Sequence, residues 1–96
     1  MEKVLLKMTA RELRDLLKKK EISPFDLLDI IEIQIDKIDK SVNAIPTLCF
    51  DRARHKANLK SLSNLPLAGL PVAIKDLSAV AGVRTTWGSQ LYRNHI

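Results

Sequence analysis

Residues 65–89, LPLAGLPVAIKDLSAVAGVRTTWGS, constrain this chain more than any other stretch. Within them a short apolar run, Leu70-Pro71-Val72-Ala73-Ile74, ends on Lys75; Gly69 and Pro71 mark its start and Gly82 lies a little beyond. A run of this length and composition predicts a buried strand, which would carry the Lys75 ammonium inward. Burial disfavours the charged amine, so a lysine in that setting is a candidate general base near neutral pH. Hydroxyl nucleophiles use such a base in serine-lysine arrangements, where the amine takes the nucleophile's proton directly or through a second hydroxyl. The pattern alone fits a second reading, which is the commoner one: a lysine at a strand end marks an exposed edge or snorkels to water.

The surrounding residues add a resemblance. Gly69-Leu70-Pro71-Val72-Ala73-Ile74-Lys75-Asp76-Leu77, then Gly82-Val83, then Thr85-Thr86-Trp87-Gly88-Ser89 are similar in order and spacing to the first block of the amidase signature family. Upstream, Leu13-Arg14-Asp15-Leu16-Leu17, Ile22-Ser23-Pro24 and Asn43-Ala44 resemble that family's usual amino-terminal region, so nearly the whole chain is covered. The resemblance implies an α/β fold: the amino-terminal portion of a mixed-sheet α/β/α domain, helices followed by edge strands, with residues 1–96 as a single partial domain. It implies hydrolysis of a small carboxamide through a serine acyl-enzyme, without metal or organic cofactor, and Lys75 as the catalytic base of a Ser, cis-Ser, Lys triad. The general form of the block and the Gly88-Ser89 pair look more like a general amidase than the glutaminyl-tRNA-forming amidotransferase subunit.

The family's two serines lie downstream, in a segment resembling GGSSGGS that also supplies oxyanion-binding amides. Here Ser23, Ser41, Ser61, Ser63 and Ser78 sit in no glycine-rich setting, and Ser89 belongs to the TTxGS loop, which leaves one triad member of three. The expectation is therefore an amidase-family fragment that contributes the lysine and is inactive by itself. Its partners would be a homo-oligomeric copy or a complementing chain. One chain of a split amidase, a noncatalytic interaction module and a gene remnant are the alternatives. Asp76 reads as structural, because a close pair with Lys75 would favour the charged amine and oppose its use as a base. Thr85, Thr86 and Ser89 are suited to fixing the loop through local bonds to backbone, and Trp87 reads as a packing anchor.

Charge and composition narrow the partners. The net charge of +5 arises wholly after Lys40: up to that residue nine basic groups face nine acidic ones, and beyond it seven face two. Arg52, Lys56 and Lys60 recur every four residues, a spacing that lines them along one helix face. Without interleaved aromatics or a nucleic-acid motif, that stripe reads as a solvated face and no nucleic-acid partner is expected. Phe25, Phe50, Trp87 and Tyr92 are the only aromatic residues apart from histidine, so the core is expected to be aliphatic and small. Lone Cys49 allows no internal disulfide and, with His55 and His95 at no ligand spacing to it, no metal site. No run has membrane-spanning length, and Val4-Leu5-Leu6 is too short for a signal peptide's apolar region, so a soluble, cytoplasmic protein is expected.

The helices announce themselves through their caps. Thr9 with Glu12 is a capping box opening a helix over about 9–20, with Ala10, Leu13, Leu16 and Leu17 on one face. Ser23 and Pro24 open a second, to about residue 39, with Leu27, Leu28, Ile31, Ile35 and Ile38 as its core stripe and Ile30 and Ile33 pointing away as a candidate contact face. Residues 43–50 read as an extended edge segment because Pro46 cannot donate to a ladder. Asp51 is expected to cap a third helix to about residue 62, and residues 83–86 to form a short extended piece.

Overall fold

The computed structural model describes residues 2–96, in which four α-helices and two single 3-10 turns are joined by irregular chain. The helices are α1 (Glu2–Lys7), α2 (Ala10–Lys18), α3 (Pro24–Val42) and α4 (Phe50–Ala57); the 3-10 turns are Leu62–Asn64 and Gln90–Tyr92. The expected Thr9 capping box forms, and the expected Ser23 cap proves to be a second such box, with Asp26 as the partner. Thr9 Oγ1 accepts from the Glu12 amide at 3.1 Å while Glu12 Oε1 accepts from the Thr9 amide at 3.2 Å. Ser23 and Asp26 repeat the exchange at 3.1 and 2.8 Å, with Pro24 in the first turn, where its missing donor costs little.

The exits are equally specific. Beyond α2 the Lys20 amide donates to Leu17 O and the Glu21 amide to Leu16 O, a Schellman closure with Lys20 at φ 60°, the position glycine usually fills. Helix α3 runs three residues past its expected end because Asp39 caps its exit. The Asp39 carbonyl accepts from the left-handed Asn43, and its carboxylate accepts from the amides of Ala44 and Ile45 at 2.8 and 3.3 Å.

A small core forms where α1, α2 and α3 meet: Leu5, Leu17, Ile22, Leu27 and Ala68 are buried, with Met8, Leu13, Leu16, Ile30 and Leu70 packed against them. Helix α1 was not expected from the sequence, and its contact with α3 changes the reading of that helix. Ile30 packs on the core instead of pointing away, whereas Ile38, expected in the core stripe, is half exposed; Ile33 is exposed as expected. Helix α4 packs on α3, where Arg54 donates to Asp29 Oδ1 at 3.0 Å and to Glu32 and lies over the Phe50 ring.

Two further expectations are corrected. Helix α4 starts after Cys49 without a side-chain cap and stops at Ala57, so Lys60 lies outside it and the Arg52/Lys56/Lys60 stripe is broken. Arg52 is also half-buried, reaching across to the Ala81 carbonyl. Second, the described residues form no strand: residues 43–49, 70–75 and 83–86 run without a ladder. A strand exists only against a partner strand, and these apolar segments meet none among the described residues. The structure is thus helical where an α/β arrangement with edge strands was expected.

Ala68 brings the carboxy-terminal half into this core. It is buried at φ 54°, and Gly69 follows at φ 93°, two consecutive left-handed residues that turn the chain beneath α3. A Cβ on Gly69 would lie 2.7 Å from Pro24 Cγ and 3.0 Å from Leu62 Cδ2, so the close approach requires glycine.

Candidate functional site

From the Ala68–Gly69 anchor the chain leaves the core through Leu70 and reaches Lys75 without regular structure. Lys75 is exposed, as the commoner reading of a lysine ending an apolar run has it, and is not carried inward by a buried strand: Val72, Ile74 and Leu77 around it are 62, 55 and 59 % exposed, so no wall encloses the ammonium. Its carbonyl accepts from the Ser78 amide at 3.0 Å, closing a turn with Asp76 and Leu77 at its corners. A second turn, Val83 amide to Val80 carbonyl at 3.0 Å, follows around Gly82 at φ 79°.

These turns bring Asp76 to Thr86. Asp76 Oδ1 accepts from the Thr86 amide at 2.8 Å and Oδ2 from the Thr86 hydroxyl, so one residue occupies both carboxylate oxygens. The Thr86 hydroxyl in turn accepts from the Gly88 amide at 3.1 Å. The Thr86 hydroxyl, then its amide, hold the Asp76 carboxyl below its ordinary range; partial desolvation opposes them and the Arg84 charge assists. Asp76 is therefore structural, as its sequence setting suggested, and makes no ion pair with Lys75.

The TTxGS block is fixed by its own side chains. Thr85 and Thr86 are buried, the Thr85 amide donates to the His95 carbonyl at 2.9 Å, and Ser89 Oγ accepts from the Leu91 amide at 3.3 Å. Trp87, at φ 53°, packs against Tyr92 and His95 with ring centroids 5.2 and 5.0 Å away, which makes it an anchor for the residues that follow. Arg84 was not singled out in the sequence. It donates to Thr47 Oγ1 at 3.0 Å, to the Pro46 carbonyl at 3.4 Å and to the Arg93 carbonyl, tying the loop to the segment after α3. A loop arginine reads in sequence as a surface charge; only the fold shows it gathering three separate segments.

A groove of about 400 Å³ lies elsewhere, between the α2–α3 turn and the chain after α4, and does not include Lys75. Cys49 is a free, exposed thiol. Among the described residues no helix is long and apolar enough to cross a membrane.

Comparison with known proteins places these residues. A family model described as Amidase matches residues 27–96. A glutamyl-tRNA(Gln) amidotransferase subunit from Halothermothrix orenii is 43% identical over 88 residues, covering 92% of this chain and 18% of that protein. The protein of the same name from Anaplasma phagocytophilum is 36% identical over 100 residues, covering 100% of this chain and 20% of its own length, and that from Geobacillus kaustophilus is 43% identical over 91 residues, covering 86% and 18%. No solved structure matches the chain. It thus spans about a fifth of the curated relatives it matches. These relatives carry the amidotransferase name, where the Gly88-Ser89 pair had pointed to a general amidase; that two-residue pattern does not discriminate. With the match spanning most of helix α3, the Lys75 segment and the Asp76–Thr86 clamp, the chain belongs to the amidase family.

Proposed function

We propose that residues 1–96 form one partial domain that supplies the lysine-bearing part of an amide-cleaving centre in the cytoplasm. Lys75 is its general base, and further polypeptide, on this chain or on a complementing one, contributes the serines. The observation that carries this reading is the setting of Lys75: it lies within the amidase match, on a loop anchored at Ala68 and clamped at Asp76, with no ion pair or side-chain hydrogen bond of its own among the described residues.

A serine hydroxyl attacks the amide carbonyl while its proton passes, directly or through a second hydroxyl, to the neutral Lys75 amine. The tetrahedral adduct then expels the substrate's nitrogen, protonated by the base, and water releases the acyl group. Hydrolysis and amide-nitrogen transfer both begin with this C–N cleavage, so the relatives' name asks the same chemistry of Lys75. The exposed apolar residues Val72, Ile74 and Leu77 fit a covering layer that would desolvate the ammonium and favour its neutral form. That the relatives are named as subunits supports a complementing chain. An interaction module using Ile30, Ile33 and the basic stripe keeps only Ile33 exposed, since Ile30 packs on the core and the stripe is broken.

The test compares amide hydrolysis by the purified 96-residue chain with that of the complete polypeptide or complex isolated from its own cells. The chain alone should be inactive, and Lys75→Ala should slow the complete assembly by about 10²- to 10⁴-fold, the usual worth of a general base. An assembly indifferent to Lys75→Ala, or an active isolated chain, overturns the reading.

A further inference from the structure

Lys75 and Asp76 are sequence neighbours of opposite charge, and neighbouring charges do pair in this chain: Arg14 Nη2 lies 3.5 Å from Asp15 Oδ1. Lys75 and Asp76 are not paired; both Asp76 oxygens accept from Thr86 instead. Thr86 is equipped for that grip. It is only 7% exposed, which limits competition from water, and the Gly88 amide occupies a lone pair of its hydroxyl, directing the hydroxyl proton toward Asp76. Gly88 reaches this position at φ 72°. We propose that Thr86 is a positioning residue that holds the Asp76 carboxylate away from Lys75 and so keeps the lysine free of an ion pair that would lock it in its charged form.

The inference rests on Lys75 being the base, and it explains why an acidic residue beside that base does not silence it. A carboxylate paired with an ammonium stabilises the protonated amine and withdraws it from proton transfer. Thr86 keeps Asp76 charged but satisfied, so the carboxylate fastens the two turns together instead of neutralising its neighbour.

The experiment reads the nucleophilicity of the Lys75 amine without requiring amide hydrolysis. The intact chain is acetylated briefly at about pH 8, between the ordinary carboxylate and amine ranges, with an N-hydroxysuccinimide ester. Modification of Lys75 is expressed relative to the exposed Lys56 and Lys60 by peptide mass spectrometry. Thr86→Val should lower the Lys75 ratio about two- to fivefold, the range set by a solvent-exposed ion pair. Thr86→Ser, which keeps the hydroxyl, should leave the ratio at the wild-type value. The double variant Thr86→Val/Asp76→Asn should restore it, because the freed side chain no longer carries charge; mere loosening of the loop would not be rescued in this way. If Thr86→Val loses helix content by circular dichroism, Thr86→Ala replaces it in both arms. An unchanged ratio in the folded single variant, or a drop that persists in the double variant, overturns the inference. Either result leaves the Lys75→Ala hydrolysis test standing, so failure here and failure of the base assignment are distinguishable.

Discussion

Asp76 ties the Lys75 segment to the TTxGS block, and its protonation state should be visible in the stability of that link. Its folded pKa is depressed by the Thr86 hydroxyl and amide, so its contribution is fully present above the unfolded carboxylate value of 3.8. That contribution is lost as the pH falls from 3.8 through the folded value. Acid titration followed by tryptophan fluorescence, with Trp87 next to Thr86 as reporter, should show a transition below pH 3.8 that Asp76→Asn removes. A transition that survives the substitution would mean another group controls it. At this scale the structural part of Asp76 was legible from its setting, and the exposure of Lys75 follows the commoner reading of a lysine that ends an apolar run. The exposure of Val72 and Ile74 was not legible, because an apolar run states what the residues prefer and not what is present to cover them. Arg84 had no signal of its own, since its acceptors lie in segments remote in sequence.

Among the elements, helix starts were the most legible feature because they depend on residues close in sequence: Thr9 with Glu12, and Ser23 followed by Pro24. Ends were less so. Helix α4 gives up at Ala57 without glycine or proline to stop it, and α3 is prolonged by a carboxylate that bonds to amides beyond its own end. Helix α1 passed unnoticed because its six residues hold too few turns to establish a period, although Leu5 is part of the core. The link between helices and loop is concentrated at Gly69. Gly69→Ala forces a side chain into the left-handed region and against Pro24, and should destabilise the chain by about 2 kcal/mol. Urea denaturation should show this as a lower midpoint; a midpoint equal to wild type would mean that the Ala68–Gly69 turn is not held against α3.

For the whole molecule, the helices and the functional loop differ in how their backbones are satisfied. Leu27, Leu28 and Ile31 lie in a hydrogen-bonded helix beside the core, while Val72, Ala73 and Ile74 are exposed residues of irregular chain. Hydrogen exchange at neutral pH should therefore deuterate amides 72–74 well before those of Leu27, Leu28 and Ile31. Equal protection in the two groups would contradict this division. The α/β character expected from the family resemblance depends on strand pairing, which a single apolar segment cannot supply, and this is why sequence and structure agree on α2 and most of α3 and part at the sheet.

The paired left-handed residues Ala68 and Gly69 have a consequence for how this loop meets anything laid over it. Lys75 lies six residues from one fixed point and is followed at once by another, Asp76 on Thr86, so it is suspended between two moorings and confined to a small region of space. A chain tied at both ends has already lost much of its configurational freedom, and a surface that docks on it needs to remove little more. The lysine is thus presented in solvent in a restrained state, ready to be enclosed without a large ordering penalty.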